Sequence, residues 1–274
     1  MEAVLESAVK RGVDLVLIQE PRDGREKDGT LSHPSFTSIR GDEGVPAKCW
    51  IAINRSPRAK VTELKNLTRG SGNYVQVVDV FPPGGEAIII ANVYDQGEGS
   101  VAIRPVQGAA WTEIARHRRV IVAGDTNAHS KMWNPMVTRN RNHAFWEQLI
   151  NEENLLVWNT EEATRMGSGM EIHSTIDLTL SSPNMELNWC LLGEEATGSD
   201  HELIVWEVLG TPDPWMTQAW KRRGGTSADG TPRRKVRTKR RRRRRKGEKG
   251  RGNATSGWWT EHPFSPMAAG PRRW

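Results

Sequence analysis

A chain of 274 residues with 36% hydrophobic content can build one sizeable core, while two cysteines, Cys49 and Cys190, exclude a disulfide framework or a cysteine metal site. No apolar run approaches the roughly 18–20 residues of a membrane helix and no basic segment leads into an apolar one near Met1, so the expectation is an intracellular protein, nuclear or cytoplasmic, neither secreted nor membrane-bound. The net charge of +6 hides a split: residues 211–274 hold 19 Lys/Arg against 4 Asp/Glu, which leaves an acidic body of 210 residues with 20 basic and 29 acidic side chains.

The first element is a helix. EAVLESAVKRG (2–12) sets Val4, Leu5, Ala8 and Val9 on one face and stops at Gly12. VDLVLIQE (13–20) follows as a buried strand that ends on Glu20. Residues 21–47, rich in Gly, Pro and charge, read as a long loop. CWIAIN (49–54), YVQVVDV (74–80) and AIIIANVY (87–94) read as strands, and Pro82-Pro83-Gly84-Gly85 joins the last two as a hairpin. GAAWTEIARH (108–117) reads as a helix, VIVAGD (120–125) as a strand, and HAFWEQLINEE (143–153) as a helix with Phe145, Trp146, Leu149 and Ile150 inward. LLVWN (155–159), TIDLTLS (175–181), LNWCLL (187–192) and ELIVWEV (202–208) complete the strands. A hairpin among strands that elsewhere alternate with helices favours two packed mixed sheets flanked by helices over a doubly wound fold.

The segment after residue 210 differs in kind. It has one β-branched aliphatic residue, Val236, no Leu or Ile, and five of the twelve tryptophans. Such a composition buries too little apolar surface to offset ordering entropy, so residues 210–274 are expected to be a disordered basic tail beside a folded domain at 1–209.

Several strands end in polar residues that one rim would gather: Glu20, Tyr94, Asp125 with Asn127, Asp177, and Asp200 with His201. Singly each is ordinary, because Asp, Asn and Gly are the common residues of turns. Asp177 is the exception, since a carboxylate inside the strand TIDLTLS is costly unless it is paired or hydrogen-bonded. No His/Cys spacing suggests zinc. Trp133 and Trp146 read as packing residues. His129 and His173 flank the motifs, and Arg139, Arg141 and Arg165 lie in loops near them. Solvated loop charge and contact with a phosphate are both open for these residues.

Taken together, LIQEP, NVYDQ, VAGDTNAH, TIDLTLSS and GSDHELI resemble, in order and spacing, the endonuclease/exonuclease/phosphatase superfamily. Within it the chain is most similar to the endonuclease domains of non-LTR (LINE-type) retrotransposons, through the GDxNAHxxxW spelling from Gly124 to Trp133 and IDLTL at 176–180. The resemblance covers roughly residues 1–209 and implies a four-layered α/β sandwich that hydrolyses phosphodiesters with Mg²⁺, or with Mn²⁺ in its place. It implies Glu20 as metal ligand, with Asp200 as a second metal or water ligand. Asp125 would orient or deprotonate the water, and Asn127 would position the water or the phosphate. Tyr94 would bond the phosphate. His201, as imidazolium held by Asp177, would donate to a non-bridging oxygen. His129, Arg139, Arg141 and Arg165 are the candidate nucleic-acid contacts. The partner implied is DNA, with RNA or DNA on the basic tail, and no obligate protein partner is called for.

Three departures from that pattern matter. The family opens with a strand carrying an Asn, whereas Met1 here falls directly at the first helix. Loss of that strand would leave backbone groups without ladder partners and would weaken stability and catalysis. Gln96 and Gly97 stand where many members have Pro and Asn after the tyrosine, so one phosphate contact is missing or replaced. Finally, RKVRTKRRRRRRKGEKGRG reads either as a nucleic-acid-binding or nuclear-localisation arm, or as an acidic stretch translated out of frame, since Glu codons shifted by one base become Arg codons. Three functions follow: a DNA endonuclease that primes reverse transcription, a truncated relic that keeps the fold without turnover, and a repair nuclease or phosphatase on the same fold. The acidic body is unusual for a protein that grips DNA.

Overall fold

The structure, a computed structural model, describes residues 1–21, 33–40, 48–68, 70–96, 105–138, 140, 142–160, 162–167, 173–192 and 198–209. The basic tail, its boundary at 210, Arg139 and Arg141 lie outside the described residues.

The β-branched runs of the sequence build the central layer. β4 (Lys60–Glu63), β5 (Val75–Phe81), β6 (Ile88–Tyr94), β7 (Val120–Asp125), β9 (Asp177–Ser181) and β8 (Leu156–Val157) lie side by side in that order as a six-stranded sheet. β6 and β7 are parallel and the other neighbours antiparallel, so the sheet is mixed. The Pro-Pro-Gly-Gly segment makes the expected antiparallel hairpin, with Gly84 at φ +67° supplying the left-handed turn residue. β1 (Leu15–Gln19), β3 (Cys49–Asn54) and β2 (Phe36–Ile39) form a three-stranded antiparallel sheet in that order, and β10 (Leu187–Leu192) pairs with β11 (Leu203–Val208).

Alternation sorts the six-stranded sheet into two faces. Val75, Val77, Ile89, Ala91, Val93, Val120, Val122, Leu178 and Leu180 share one core with Trp111 and Ile114 of α2 (Trp111–Ala115) and with Trp146, Leu149 and Ile150 of α3 (His143–Glu152). The opposite face, with Val78, Val80, Ile88, Ile90, Ile121 and Ala123, packs on Ile51, Leu15 and Leu17 and on Leu187 and Trp206. α1 (Glu2–Lys10) then covers the far side through Leu5 and Ala8 against Phe36 and Ala52. Helix, sheet, sheet and helix are therefore stacked as the expected four-layered α/β sandwich. Trp133 and Trp146 are both buried, as packing residues should be.

Three details differ from expectation. Phe36–Ile39 is a strand within the stretch read as loop, because Phe36 buries completely against α1. Lys60–Glu63 is an edge strand whose single apolar residue, Val61, is too little to mark a pattern. The second layer consists of two separate ladders, and among the described residues β1 has no partner on the edge away from β3, nor β11 on the edge away from β10. No described helix is long and apolar enough to cross a membrane.

One polar tie sets the layers in register. Asn92, fully buried in β6, donates to the carbonyls of Ile18 (3.1 Å) and Trp50 (2.8 Å) and accepts from Gln19 Nε2 at 2.5 Å. A buried amide with every group satisfied costs little to bury and is costly to disturb, so it locks β1 and β3 onto β6 beside the strand ends.

Candidate active site

Three of the expected residues form one row. Tyr94 is the register partner of Asp125 across the parallel pair β6–β7, and Asp125 is the partner of Asp177 across β7–β9. Residues on one rung point to the same face, and here that face looks into the space between the sheets. Glu20, next after β1, and His201, just before β11, reach the row from the other layer, as Tyr94's bond to Glu20 and His201's to Asp177 show. The site lies at the open end of the inter-sheet space.

The row is joined to the other layer most closely through Asp177 and His201. His201 Nδ1 stands 3.0 Å from both Oδ1 and Oδ2 of Asp177, which leaves Nε2 as the outward nitrogen. Burial pulls the imidazolium down, but the hydrogen bond and charge of Asp177, with Asp125 and Asp200 behind it, raise its pKa to about 9. At neutral pH the ring is a cation and a donor. Asp125, 6% exposed, is raised to about 7 by burial first and by the neighbouring Asp177 second, against the opposing pull of His201 and the Asn127 amide. Its ionisation is poised near neutrality, as suits a base for water.

The Asp125 loop is held unusually tightly. Asn127 has a left-handed φ of +45°, its N–H donates to Asp125 Oδ1 at 2.8 Å, and its Nδ2 donates to the Asp95 carbonyl at 2.9 Å. Asn127 Oδ1 makes no hydrogen bond among the described residues and is free for a ligand. Asn140 Nδ2 donates to the Asn127 carbonyl at 2.7 Å while its Oδ1 accepts the His129 N–H at 3.0 Å. Buried Asn142 adds donations to the carbonyls of Thr126 (3.3 Å) and Asn127 (3.4 Å). These contacts offset the strain of a non-glycine residue at positive φ, on the order of 1–2 kcal/mol. Neither Asn140 nor Asn142 stood out in the sequence, because an Asn in a polar loop is the ordinary case. The signal available was their spacing from Asn127, which only the loop's closure makes meaningful.

A second brace holds the dyad. Thr164, fully buried, accepts the N–H groups of Ile176 (3.1 Å) and Asp177 (3.0 Å) on its hydroxyl, and its carbonyl accepts Glu202 N–H at 2.7 Å. Arg165 Nε bonds Asp200 Oδ2 at 2.8 Å, and that ion pair lowers the Asp200 carboxyl despite the opposing effect of burial. Arg165, expected among the phosphate contacts, is thus engaged with a carboxylate of the site. Asp200, expected as a metal or water ligand, stands outside the one described group of acidic and histidine ligand atoms that lie within 4.8 Å of one another, namely Asp125, Asp177 and His201. His129 is half-buried, its main chain bonded to Asn140, and His173 accepts Gly167 N–H at 3.2 Å.

Glu20 is the exposed member, with a φ of +43° that turns it out of β1. The Tyr94 hydroxyl donates to it, and burial, reinforced by that bond, pushes the Tyr94 pKa well up, so the phenol stays neutral. Lys48, absent from the sequence reading, lies against both: Nζ is 3.7 Å from Glu20 Oε1 and 5.8 Å from the centre of the Tyr94 ring.

A four-layered sandwich with Glu, Tyr, Asp-x-Asn, Asp and Asp-His at its strand ends has the fold of the endonuclease/exonuclease/phosphatase superfamily. Within that class, residues 88–205 match the family described as endonuclease-reverse transcriptase. Among solved structures, the endonuclease domain of TRAS1, a telomere-specific non-LTR retrotransposon, is similar with a TM-score of 0.60 at 18% identity over 76% of this chain and 91% of that one. A mannosyl-6-phosphatase of Bacteroides thetaiotaomicron has a TM-score of 0.52 at 13% identity over 76% and 90% of the two chains. The 3′ phosphatase NExo from Neisseria, bound to a product DNA hairpin, has a TM-score of 0.50 at 15% identity over 75% and 93%. At these identities the likeness speaks for the fold alone. No curated protein matches the chain in sequence.

Proposed function

We propose that this chain is the DNA endonuclease domain of a non-LTR retrotransposon, which nicks target DNA in the nucleus by phosphodiester hydrolysis and leaves a 3′-hydroxyl to prime reverse transcription. The observation that carries this reading is the row Tyr94–Asp125–Asp177 with His201 Nδ1 held at 3.0 Å by Asp177. The endonuclease-reverse transcriptase match over residues 88–205 supports this branch of the superfamily over the others.

The roles follow from the geometry. His201 keeps its proton because Asp177 holds it, and Nε2–H donates to a non-bridging phosphate oxygen as charge builds there. Asp125 accepts a proton from the attacking water, with Asn127 Oδ1 orienting the water or the phosphate. The Tyr94 hydroxyl, now on Glu20, turns to the phosphate when Glu20 takes another partner.

A divalent cation fits the donor set. Asp125 is raised by burial and by Asp177, with a further push from Glu20, so negative charge here exceeds what His201 neutralises, and carboxylate oxygen is the donor hard cations choose. Glu20 would hold Mg²⁺ or Mn²⁺ beside the charge of Asp125, and the ion when bound would polarise the phosphoryl oxygen and neutralise the leaving 3′-oxygen.

The test is nicking of supercoiled plasmid with Mg²⁺, Mn²⁺ or EDTA, beside abasic DNA, 3′-phosphorylated DNA and sugar phosphates. Nicking of intact DNA that EDTA abolishes supports the proposal. Turnover of abasic or phosphomonoester substrates alone would move the chain to the repair-nuclease or phosphatase branch, and a folded chain with no turnover would make it a relic.

A further inference from the structure

We propose that Lys48 is a substrate-phosphate ligand, contacting a backbone phosphate of the nucleic-acid strand that is cut; this rests on the nuclease reading above. The site is crowded with carboxylates, and its other described cations are committed. Arg165 bonds Asp200 at 2.8 Å and His201 bonds Asp177 at 3.0 Å. Lys48 is different. Its nearest acid, Glu20 Oε1, is 3.7 Å away, too far for a hydrogen bond, and none of its three donors is used among the described residues.

The backbone that carries this ammonium is fixed from behind. The Lys48 carbonyl accepts Glu20 N–H at 2.9 Å and its own N–H donates to the Asn73 carbonyl at 3.2 Å. The next residue, Cys49, is fully buried with Sγ on the Tyr74 carbonyl at 3.2 Å. The backbone therefore ties the end of β1 to the turn before β5, and only the side chain, 31% exposed, is free to move. It lies over the Tyr94 ring, which favours a cation there without consuming a donor.

The surroundings suit a polymer strand. Tyr74 stacks on Tyr94 with centroids 6.2 Å apart and planes at 17°, and the Tyr74 hydroxyl donates to Gln96 Oε1 at 2.7 Å. Beside the ammonium stands a short wall of the half-buried Tyr74 ring and the exposed Gln96 amide, backed by buried Tyr94: a face for a sugar or base next to a charge for the phosphate. Gln96 holds one of the positions where the family's usual Pro-Asn pair is absent, so Lys48 with this wall takes over a strand contact at the altered place.

The competing account makes Lys48 only a rim partner of Glu20, worth little in water. Anisotropy of a short fluorescein-labelled duplex with the full chain separates the two, using an Asp125→Asn background that blocks cleavage and comparing Lys48→Met and Lys48→Arg with it. The basic tail is the same in every protein and cancels from the comparison. The expected result is a Kd for Lys48→Met weaker by roughly three- to tenfold, a slope of log K against log salt shallower by about 0.9 between about 50 and 200 mM KCl, and recovery of both with Lys48→Arg. An unchanged Kd and slope at unchanged Tm overturns the proposal, as does a change confined to the Mg²⁺ concentration needed to raise Tm. Plasmid nicking by the wild type is the separate arm: its absence defeats the nuclease reading, while the binding comparison still decides Lys48.

Discussion

At the scale of single residues, the opposed proton affinities of Asp125 and His201 have measurable consequences. An acid raised to about 9 sets the alkaline limb of a bell-shaped rate profile, and a base raised to about 7 without a cation sets an acid limb that bound Mg²⁺ moves below that value. Asp177→Asn removes the strongest support of the imidazolium, so the alkaline limb should move down toward the ordinary histidine value of 6.5 and the rate should fall by about 10²–10⁴-fold. A pH–rate profile of that variant with its alkaline limb unmoved would rule out the dyad. The same shifts bear on stability, with the sign set by the folded values. The His201 contribution is complete below 6.5 and is lost as pH rises through about 9, while Asp125 costs stability as it ionises through about 7. Thermal melts should therefore fall over this range more steeply in wild type than in His201→Ala. Asn140→Ala should lower kcat more than it changes KM, at a cost of about 1–2 kcal/mol, because it frees the Asn127 carbonyl and the His129 N–H. Equal kcat in the two proteins would show that the clamp does not position Asn127. Most of the residues that meet at the candidate site were legible from the sequence, since Asp-x-Asn, strand-embedded Asp and Asp-His each carry a chemical cost or use of their own. Lys48, Asn140, Asn142 and Thr164 were not, because their role is a matter of what lies beside them after the chain closes.

At the scale of elements, strand β7 depends on a glycine. Gly124 has φ +142°, and a Cβ there would sit 2.1 Å from the Val93 carbonyl oxygen of β6. Gly124→Ala must push apart the two strands that carry Tyr94 and Asp125, so it should destabilise by about 3 kcal/mol or more, read as a lowered urea midpoint with unchanged m. An unaltered midpoint would mean that the strands separate freely. Strands whose residues alternate or run apolar were found within a residue or two, as with β3, β7 and β10. The ones overlooked, β2 and β4, are short, and their pairing is supplied by β3 and β5 and not by a pattern of their own.

At the scale of the molecule, the candidate site is assembled from two sheets held in register. Asn92 is the buried tie, and Asn92→Leu would orphan the carbonyls of Ile18 and Trp50 and release Gln19 next to Glu20. A loss of about 2–4 kcal/mol is expected, together with weaker cation binding, because Glu20 and Asp125 stand on different layers. Saturating Mg²⁺ should raise the Tm of the wild type through mass action, and much less so in Asn92→Leu or Glu20→Gln; equal shifts in all three would place the cation elsewhere.

The sequence by itself determined the class of fold and which polar residues stand at the strand ends. Periodicity assigns the layers, and a carboxylate placed within an apolar strand has to be compensated. The tertiary structure decided which groups meet. It set Tyr94, Asp125 and Asp177 on one rung, gave Arg165 to Asp200, and brought Lys48 to Glu20 and Tyr94. Those contacts depend on register and on distances of a few ångströms between residues far apart in the chain, and a linear pattern does not encode them.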